Sequence, residues 1–392
     1  MLRFKLMLLT AIPLLGVQPL LAGVFQVGSC KAKVPSFATI TEAVSIAPAG
    51  STILVCPGVY PEQVTITQAM TLQGVTDSNQ DLAMITVPST GLVANSSSIF
   101  GESIAAQLLV QGGPVNITNI AVDGTGGDLQ CAGSTWIAGM FYAPGSSGQV
   151  NHAKVSGQTD AGCGVGIWAE NSDGADKFVT IQNSSVHDMD GFGIFVASGA
   201  ASPNLFASIR GNVVSLAATA LIGIGLDNVT GAVNGNDVSN AMFGIVNTAN
   251  NVSIAFNTTS LTTAGIALQG GGSVNNNKIS SSNLGVWFFS DGGVVQLNRI
   301  SSISGSAVEF NCSAAIVSAN TINDAAIGLD NAPVGFTGTN TFNNTATVRS
   351  GSCGAAAAKT SGLAAAAAPT GNRSGASIWQ WRTPASPYAS LK

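Results

Sequence analysis

Residues 153–190 hold the densest group of side chains able to do chemistry: Lys154, Asp160, Glu170, Asp173, Asp176, Lys177, His187, Asp188 and Asp190. A pair of carboxylates roughly 5 to 9.5 Å apart suffices to cleave a glycosidic bond, one as acid and one as base or nucleophile. Asp188 and Asp190 precede the pair Gly193-Ile194, and Asp160 precedes Gly166-Ile167 by a similar distance. If those pairs mark successive turns of a repeat, Asp160 stacks beside Asp188 or Asp190, which makes these three the catalytic candidates. The competing reading is that they cap backbone amides in turns. Asp173 and Asp176, in NSDGADK, offer the hard oxygen ligands that calcium takes, although their spacing fits no EF-hand and a polar turn explains them as well. Trp136, Trp168 and Trp287, with Tyr142, are candidate platforms for a ligand. Alternation along VWFF sends Val286 and Phe288 one way and Trp287 and Phe289 the other, so packing is the alternative role. The chain has only two histidines, His152 and His187, and no CxxC, so a structural zinc site has no support. Neither a GxSxG elbow nor a phosphate-binding loop is present.

Positioning such residues falls to an unusual composition. The 392 residues are 45% hydrophobic, only 8% are charged, and 47 are Gly. Ordinary soluble domains are roughly 25% charged. A surface so poor in Lys and Glu is built from Ser, Thr, Asn and Gly, which favours short strands and polar turns over long helices. With net charge −5 and its basic residues scattered, the chain lacks the cationic footprint that nucleic-acid binding needs. No cofactor is expected from these residues.

The turns repeat. Asn212, Asn236, Asn257, Asn277, Asn298, Asn320 and Asn340 each precede a short β-favouring segment, at spacings of 20 to 24 residues. A second ladder of a small residue before a branched one runs through Gly244-Ile245, Gly265-Ile266, Gly285-Val286, Ala307-Val308 and Ala326-Ile327, with weaker members at Gly166, Gly193 and Gly223. Two features with one period near 21 predict a solenoid. Coils of that length with short strands and no helix fit an all-β, right-handed parallel β-helix. The Asn ladder then has two physical reasons: Asn tolerates a left-handed backbone, and its amide can bond the equivalent Asn one coil away. The Asn-x-Ser/Thr triplets, such as those at Asn183, Asn228 and Asn257, are by-products of this pattern.

At the start, Arg3 and Lys5 precede an apolar run ending in Leu20-Leu21-Ala22, the pattern of a secretory signal peptide over residues 1–22. An N-terminal membrane anchor is the alternative, and no later segment makes a convincing span. This places the chain outside the cell or in the periplasm or envelope. Export permits three disulfides among the six cysteines, and sequence order suggests Cys30–Cys56, Cys131–Cys163 and Cys312–Cys353 among fifteen pairings. The β-helix with its cap is expected over residues 23–345. Residues 346–392, with two alanine runs and then Trp379, Trp381 and Tyr388, read as a low-complexity extension or loose cap.

Residues 37–74 combine a short amphipathic helix over 38–47 with three β segments, 53–55, 64–66 and 70–72. This front segment resembles the start of secreted β-helix proteins of the pectin-lyase-like superfamily, through Ile40, Ala43, Ala47, Gly50, Thr52-Ile53, Val55, Pro57-Gly58, Tyr60, Glu62, Ile66, Thr71-Leu72 and Gly74, with Ser51 where Asp is usual. The resemblance covers residues 37–345 and implies a helix-capped β-helix whose relatives act on acidic polysaccharides as lyases, hydrolases and esterases. It implies calcium only for a lyase. The galacturonase Gly-His-Gly with paired aspartates and the esterase Gln-Asp and Asp-Phe motifs are missing here. The expected function is therefore binding of an extracellular polysaccharide or other extended surface ligand. Polysaccharide cleavage by carboxylates of residues 160–190, or a purely structural or adhesive rod, are the alternatives.

Overall fold

The computed structural model describes residues 21–353 except 77–81, 128, 130–134, 161, 200–202, 218–219, 250, 290–291 and 352. Residues 1–20 of the expected leader and most of the C-terminal extension lie outside the described residues, as does Cys131.

Strands stack in parallel from one end of the molecule to the other. Thirteen of the described strands form one sheet in which sequence neighbours in successive coils are spatial neighbours: Met70–Gly74, Pro114–Thr118, Ser147–Asn151, Lys177–Gln182, Leu205–Arg210, Thr230–Asn234, Asn251–Ala255 and onward to Ile316–Ser318. After each comes a corner, and then strands of a second, 20-stranded sheet that forms the rest of the coil wall. The coils wind right-handed, as parallel crossovers do. Ser96–Ser97 against Ser103–Val110 is an antiparallel pair in an excursion from the coil. The interior is a continuous column of aliphatic side chains, among them Ile167, Ile194, Ile224, Ile245 and Ile266 in register. Such burial is worth roughly 1.5–3 kcal/mol per large side chain, repeated at every coil.

The corner explains the Asn ladder and corrects half of its reasoning. The left-handed residue is the one before the ladder position: Gly211, Gly235, Phe256, Asn276, Leu297 and Ala319 all have positive φ. The ladder Asn itself is needed for its amide. Asn257 Oδ1 accepts the backbone N–H and the Nδ2 of Asn236, both at 2.9 Å, and Asn257 in turn donates through both groups to Asn277 Oδ1. The same double bond links Asn212 to Asn236, Asn277 to Asn298, Asn298 to Asn320 and Asn320 to Asn340. Each Nδ2 also donates to a strand carbonyl, as Asn277 does to Ile254 O at 2.9 Å. From Asn212 to Asn320 these amides are buried, so nothing polar is left unsatisfied at the corner. Upstream, Asn119, His152 and Asn183 take the left-handed place, each at the corner between two strands: Pro114–Thr118 and Ile120–Asp123, Ser147–Asn151 and Lys154–Ser156, Lys177–Gln182 and Ser185–His187.

The glycine ladder marks a second tight place, where the wall turns against the interior side chains of the next coil. A Cβ on Gly223 would stand 2.3 Å from Val238 Cγ1 and 2.6 Å from Gly244 O. The coil with Ala307 in this place has a register shift on both sides, the signature of an extra residue. The next rung pairs Val308 with Leu329. The ladder therefore continues at Gly328-Leu329, and not at Ala326-Ile327 as the residue types suggested.

Both ends are braced. Helix α1 (Ile40–Ile46) begins at Thr39, whose side chain accepts the Glu42 N–H. It packs Ile40, Ala43 and Val44 inward against the first coils. Glu62 accepts the N–H groups of Ile40 and Thr41, each at 2.9 Å, so its carboxylate is an N-terminal helix cap. Disulfides Cys30–Cys56 and Cys312–Cys353 staple the first and last coils. Cys163 is also disulfide-bonded. The strand Thr347–Ser350 pairs with Thr321–Asp330, so the coils run past residue 345.

Candidate functional site

The carboxylates of the 153–190 region come together in part. Asp190 reaches across to the previous coil and accepts the backbone N–H groups of Asp160 at 2.7 Å, Gly162 at 2.8 Å and Gly164 at 2.9 Å. Glycine is required at 164, where a Cβ would stand 1.7 Å from Gln158 O. Three amide donors on one carboxylate form a charge-assisted clamp that fixes the 158–164 turn. Asp160 is fully buried beneath it. Asp188 turns the other way, with positive φ, and its carboxylate meets His187 Nδ1 at 2.7 Å on the open surface. The clamp makes a measurable claim: Asp190→Ala removes the acceptor of three amides and should cost about 3 kcal/mol, read as a lower thermal midpoint, while Asp188→Ala leaves it within a degree or two.

Asp173 is held by Lys177 at 3.2 Å and by the Ala175 N–H at 3.0 Å. Slight desolvation pushes its carboxyl up, but these hydrogen bonds and the ammonium outweigh it and hold it below the usual carboxylate value. Asp176 lies exposed in the same turn. Among the described residues no group of three or more His, Cys, Asp or Glu is placed to hold a metal. Among those residues, too, no helix is long and apolar enough to cross a membrane.

The tryptophans point away from the coil interior yet are buried: Trp136 is 3%, Trp168 0% and Trp287 8% exposed. They belong to an apolar cluster on the outside of the second sheet, with Phe141, Phe192, Phe195, Phe243 and Phe289. Trp168 packs edge-on to Phe195 at 5.7 Å and donates from its indole N–H to Glu170. Tyr142 points inward, and its hydroxyl donates to Val115 O at 2.9 Å. Burial alone pushes that phenol far above its ordinary value.

The aromatic pair that faces water is one that sequence reasoning missed. Phe178 and Phe206 sit side by side on adjacent strands of the first sheet. Their rings are stacked at 4.9 Å with planes 17° apart, and Phe178 is 61% exposed. Alternation carried the signal: in KFVTIQ and LFASIR, Val179, Ile181, Ala207 and Ile209 face inward, so the phenylalanines face out. Register continues the row to Thr230 and Asn251. Beyond lies a shallow groove of about 410 Å³ lined by Gly231, Asn251, Val252, Ser253, Gly272, Ser273 and Val294. Two further outward rows run along this face, Asn116-Gln149-Thr180-Ser208 and Thr118-Asn151-Gln182-Arg210. In these rows Arg210 is the one charge, and it donates to Gln182 at 2.6 Å. The face therefore offers amides and hydroxyls along several coils, headed by an aromatic platform.

No family model and no curated protein sequence matches the chain. Solved structures do. The GH136 lacto-N-biosidase from Eubacterium ramulus superposes with TM-score 0.57 at 10% identity, over 84% of this chain and 67% of that one. The A-module of the mannuronan C-5 epimerase AlgE4 from Azotobacter vinelandii gives 0.52 at 14% identity, over 80% and 92%. At these identities the likeness is one of fold. The stacked coils, the parallel register and the short N-terminal helix make this chain a right-handed parallel β-helix solenoid.

Proposed function

We propose that this is an exported polysaccharide-binding solenoid and that its docking surface is the outer face of the first sheet. The observation that carries the reading is the stacked, water-facing pair Phe178 and Phe206 at the head of a groove where Asn251, Ser253 and Ser273 stand among glycines and Val252 and Val294. Rigid aromatic rings supply contact area at low entropic cost, and amides and hydroxyls supply orientation. The near absence of charge from this face, on a chain of net charge −5, favours a neutral glycan over a polyanion. The names of the structural neighbours, a lacto-N-biosidase and a mannuronan epimerase, agree with a glycan as partner. The apolar leader agrees with export.

The test is retention on immobilised neutral and acidic glycans, with and without calcium, alongside assays for reducing ends and unsaturated products. Micromolar binding to a neutral glycan without product release is expected. Phe178→Ala with Phe206→Ala should weaken it at least tenfold, about 1.4 kcal/mol, with the thermal midpoint little changed. Equal retention of the double variant would refute this face. Turnover abolished by Asp188→Asn would replace the binding reading with an enzymatic one.

A further inference from the structure

The groove beyond Phe206 has a direction and a pitch. Its lining comes from four successive coils, through Gly231, then Asn251 to Ser253, then Gly272 and Ser273, then Val294. Within any one coil it is at most three residues wide. It therefore runs along the rod, across the strands. Phe206 stands one coil above, in register with Thr230. From Phe206 to Val294 there are four coil rises, roughly 19 Å at about 4.8 Å each.

The two sides of the groove repeat with the coils. Ser253, Ser273 and Val294 follow one another in register on one side, and Phe206, Thr230 and Asn251 on the other. Between them the floor is low, with Gly231 in register with the buried Val252. Elsewhere on this face polar side chains engage one another, as Arg210 does Gln182 at 2.6 Å and Gln296 does Ser318 at 2.9 Å. Among the described residues, the side chains of Asn251, Ser253 and Ser273 make no hydrogen bond within the protein, and Asn251 and Ser253 are exposed. No charged residue lines the groove.

A ligand that uses this line is straight and uncharged, advances by one coil per unit, and carries polar groups on both edges and C–H bonds on its flat faces. A β-1,4-linked chain of pyranose sugars has these properties. Equatorial bonds at both ends of each ring keep the chain extended, and each sugar adds close to one coil rise. Each is also turned over relative to the last, so equivalent hydroxyls emerge on alternate edges, toward the Ser253 and Ser273 side and then toward Thr230 and Asn251. The C–H faces of the rings suit Phe206 and Val294, with the few polar groups fixing orientation. An α-1,4-linked chain of the same sugars curls and leaves a straight groove after a few units. We propose that the ligand is a neutral β-1,4-linked glycan, laid along the rod at one sugar per coil from Phe206 to Val294. This rests on the docking face proposed above and adds to it the linkage and the direction of the bound chain.

The experiment is calorimetric titration of the exported, full-length chain with β-1,4-linked oligomers of glucose, xylose, mannose and N-acetylglucosamine, two to eight sugars long. Beside them run α-1,4-linked glucose oligomers of the same lengths. At least one β-linked series should bind, gaining about tenfold or more from disaccharide to pentasaccharide and less than about twofold beyond it, because five coils are then covered. The α-linked series should bind at least tenfold more weakly at equal length. Ser273→Tyr, which fills the middle of the groove, should lower the pentasaccharide's affinity to near that of the disaccharide. Should that variant fail to fold, Ser253→Ala with Ser273→Ala should weaken the pentasaccharide at least threefold at an unchanged thermal midpoint. Equal or tighter binding of the α-linked series, affinity that does not level off, or indifference to the groove variant that folds overturns the inference. If binding in those cases is still lost with Phe178→Ala and Phe206→Ala, the docking face stands and only the linkage and direction are wrong. If no neutral glycan binds, or the double phenylalanine variant binds as well as the parent, the docking face falls and this inference falls with it.

Discussion

Replacing Asn257 by Ala should lower the thermal midpoint by roughly 5–10 °C, read by calorimetry. The amide of Asn257 is the acceptor for both the backbone N–H and the Nδ2 of Asn236, and it donates to Val233 O at 2.9 Å. Its removal strands groups that are buried at a corner closed to water. At about 1–3 kcal/mol for each buried polar group left unsatisfied, the loss is about 3–5 kcal/mol, and in a domain of this size each kcal/mol moves the midpoint by about 2 °C. Ser in place of Asn should recover part of the loss, because Ser184 already serves at the top of the ladder: its hydroxyl accepts the Ala153 N–H at 3.1 Å. Asn340→Ala, at the half-exposed lower end, should cost under about 1 kcal/mol, since water replaces what is lost. Equal falls for Asn257 and Asn340 would show that desolvation is not what makes the ladder matter.

The second large effect is expected from one methyl group. Gly223→Ala places a carbon 2.3 Å from Val238 Cγ1 and 2.6 Å from Gly244 O. The first neighbour is a buried side chain and the second is backbone, so neither can yield without shifting the next coil. Overpacking of this kind costs about 3 kcal/mol or more, and the expected result is protein that accumulates poorly or melts at least 5 °C lower. Gly174→Ala is the control: its Cβ meets nothing within 4 Å and should leave the midpoint within a degree or so. A normal midpoint for Gly223→Ala would mean that the glycine ladder reflects composition and not packing.

Both ladders were visible in the sequence because each coil must satisfy the same local constraint, and the constraint repeats. What was misassigned follows from the same geometry. The left-handed residue and the amide-bearing residue are neighbours, and residue type alone does not say which of the two needs Asn; the occurrence of Phe256, Leu297 and Ala319 in the left-handed place shows that the corner imposes its backbone on almost any side chain. The misplacement at Ala326 arose because Ala326-Ile327 also reads as a small residue before a branched one, whereas the register puts Gly328 in the ladder position. The candidate site was less legible. Its carboxylates looked catalytic because acids are so few in this chain, whereas the geometry puts Asp190 on three backbone amides and Asp188 at the surface. The tryptophans looked like platforms because nothing in a local pattern says that the outside of a strand is itself covered. Phe178 and Phe206 escaped notice for the converse reason: they are far apart in sequence, and only the register makes them a pair.

The amide column also has a sense of direction. Every ladder oxygen points toward the N-terminal coil and every ladder backbone N–H toward the C-terminal one, from Asn212 to Asn340. A second rod could prolong such a column only head to tail, and head-to-tail contacts that do not close into rings grow into filaments. The column, however, terminates inside the molecule. Above Ser184 the corner residue is Ala153, which has no oxygen to offer from its side chain, and further coils and α1 lie above that. Among the described residues, a donor of Asn340 thus meets no matching acceptor on the opposite end of another copy. A motif that templates itself from coil to coil is prevented from templating itself from molecule to molecule.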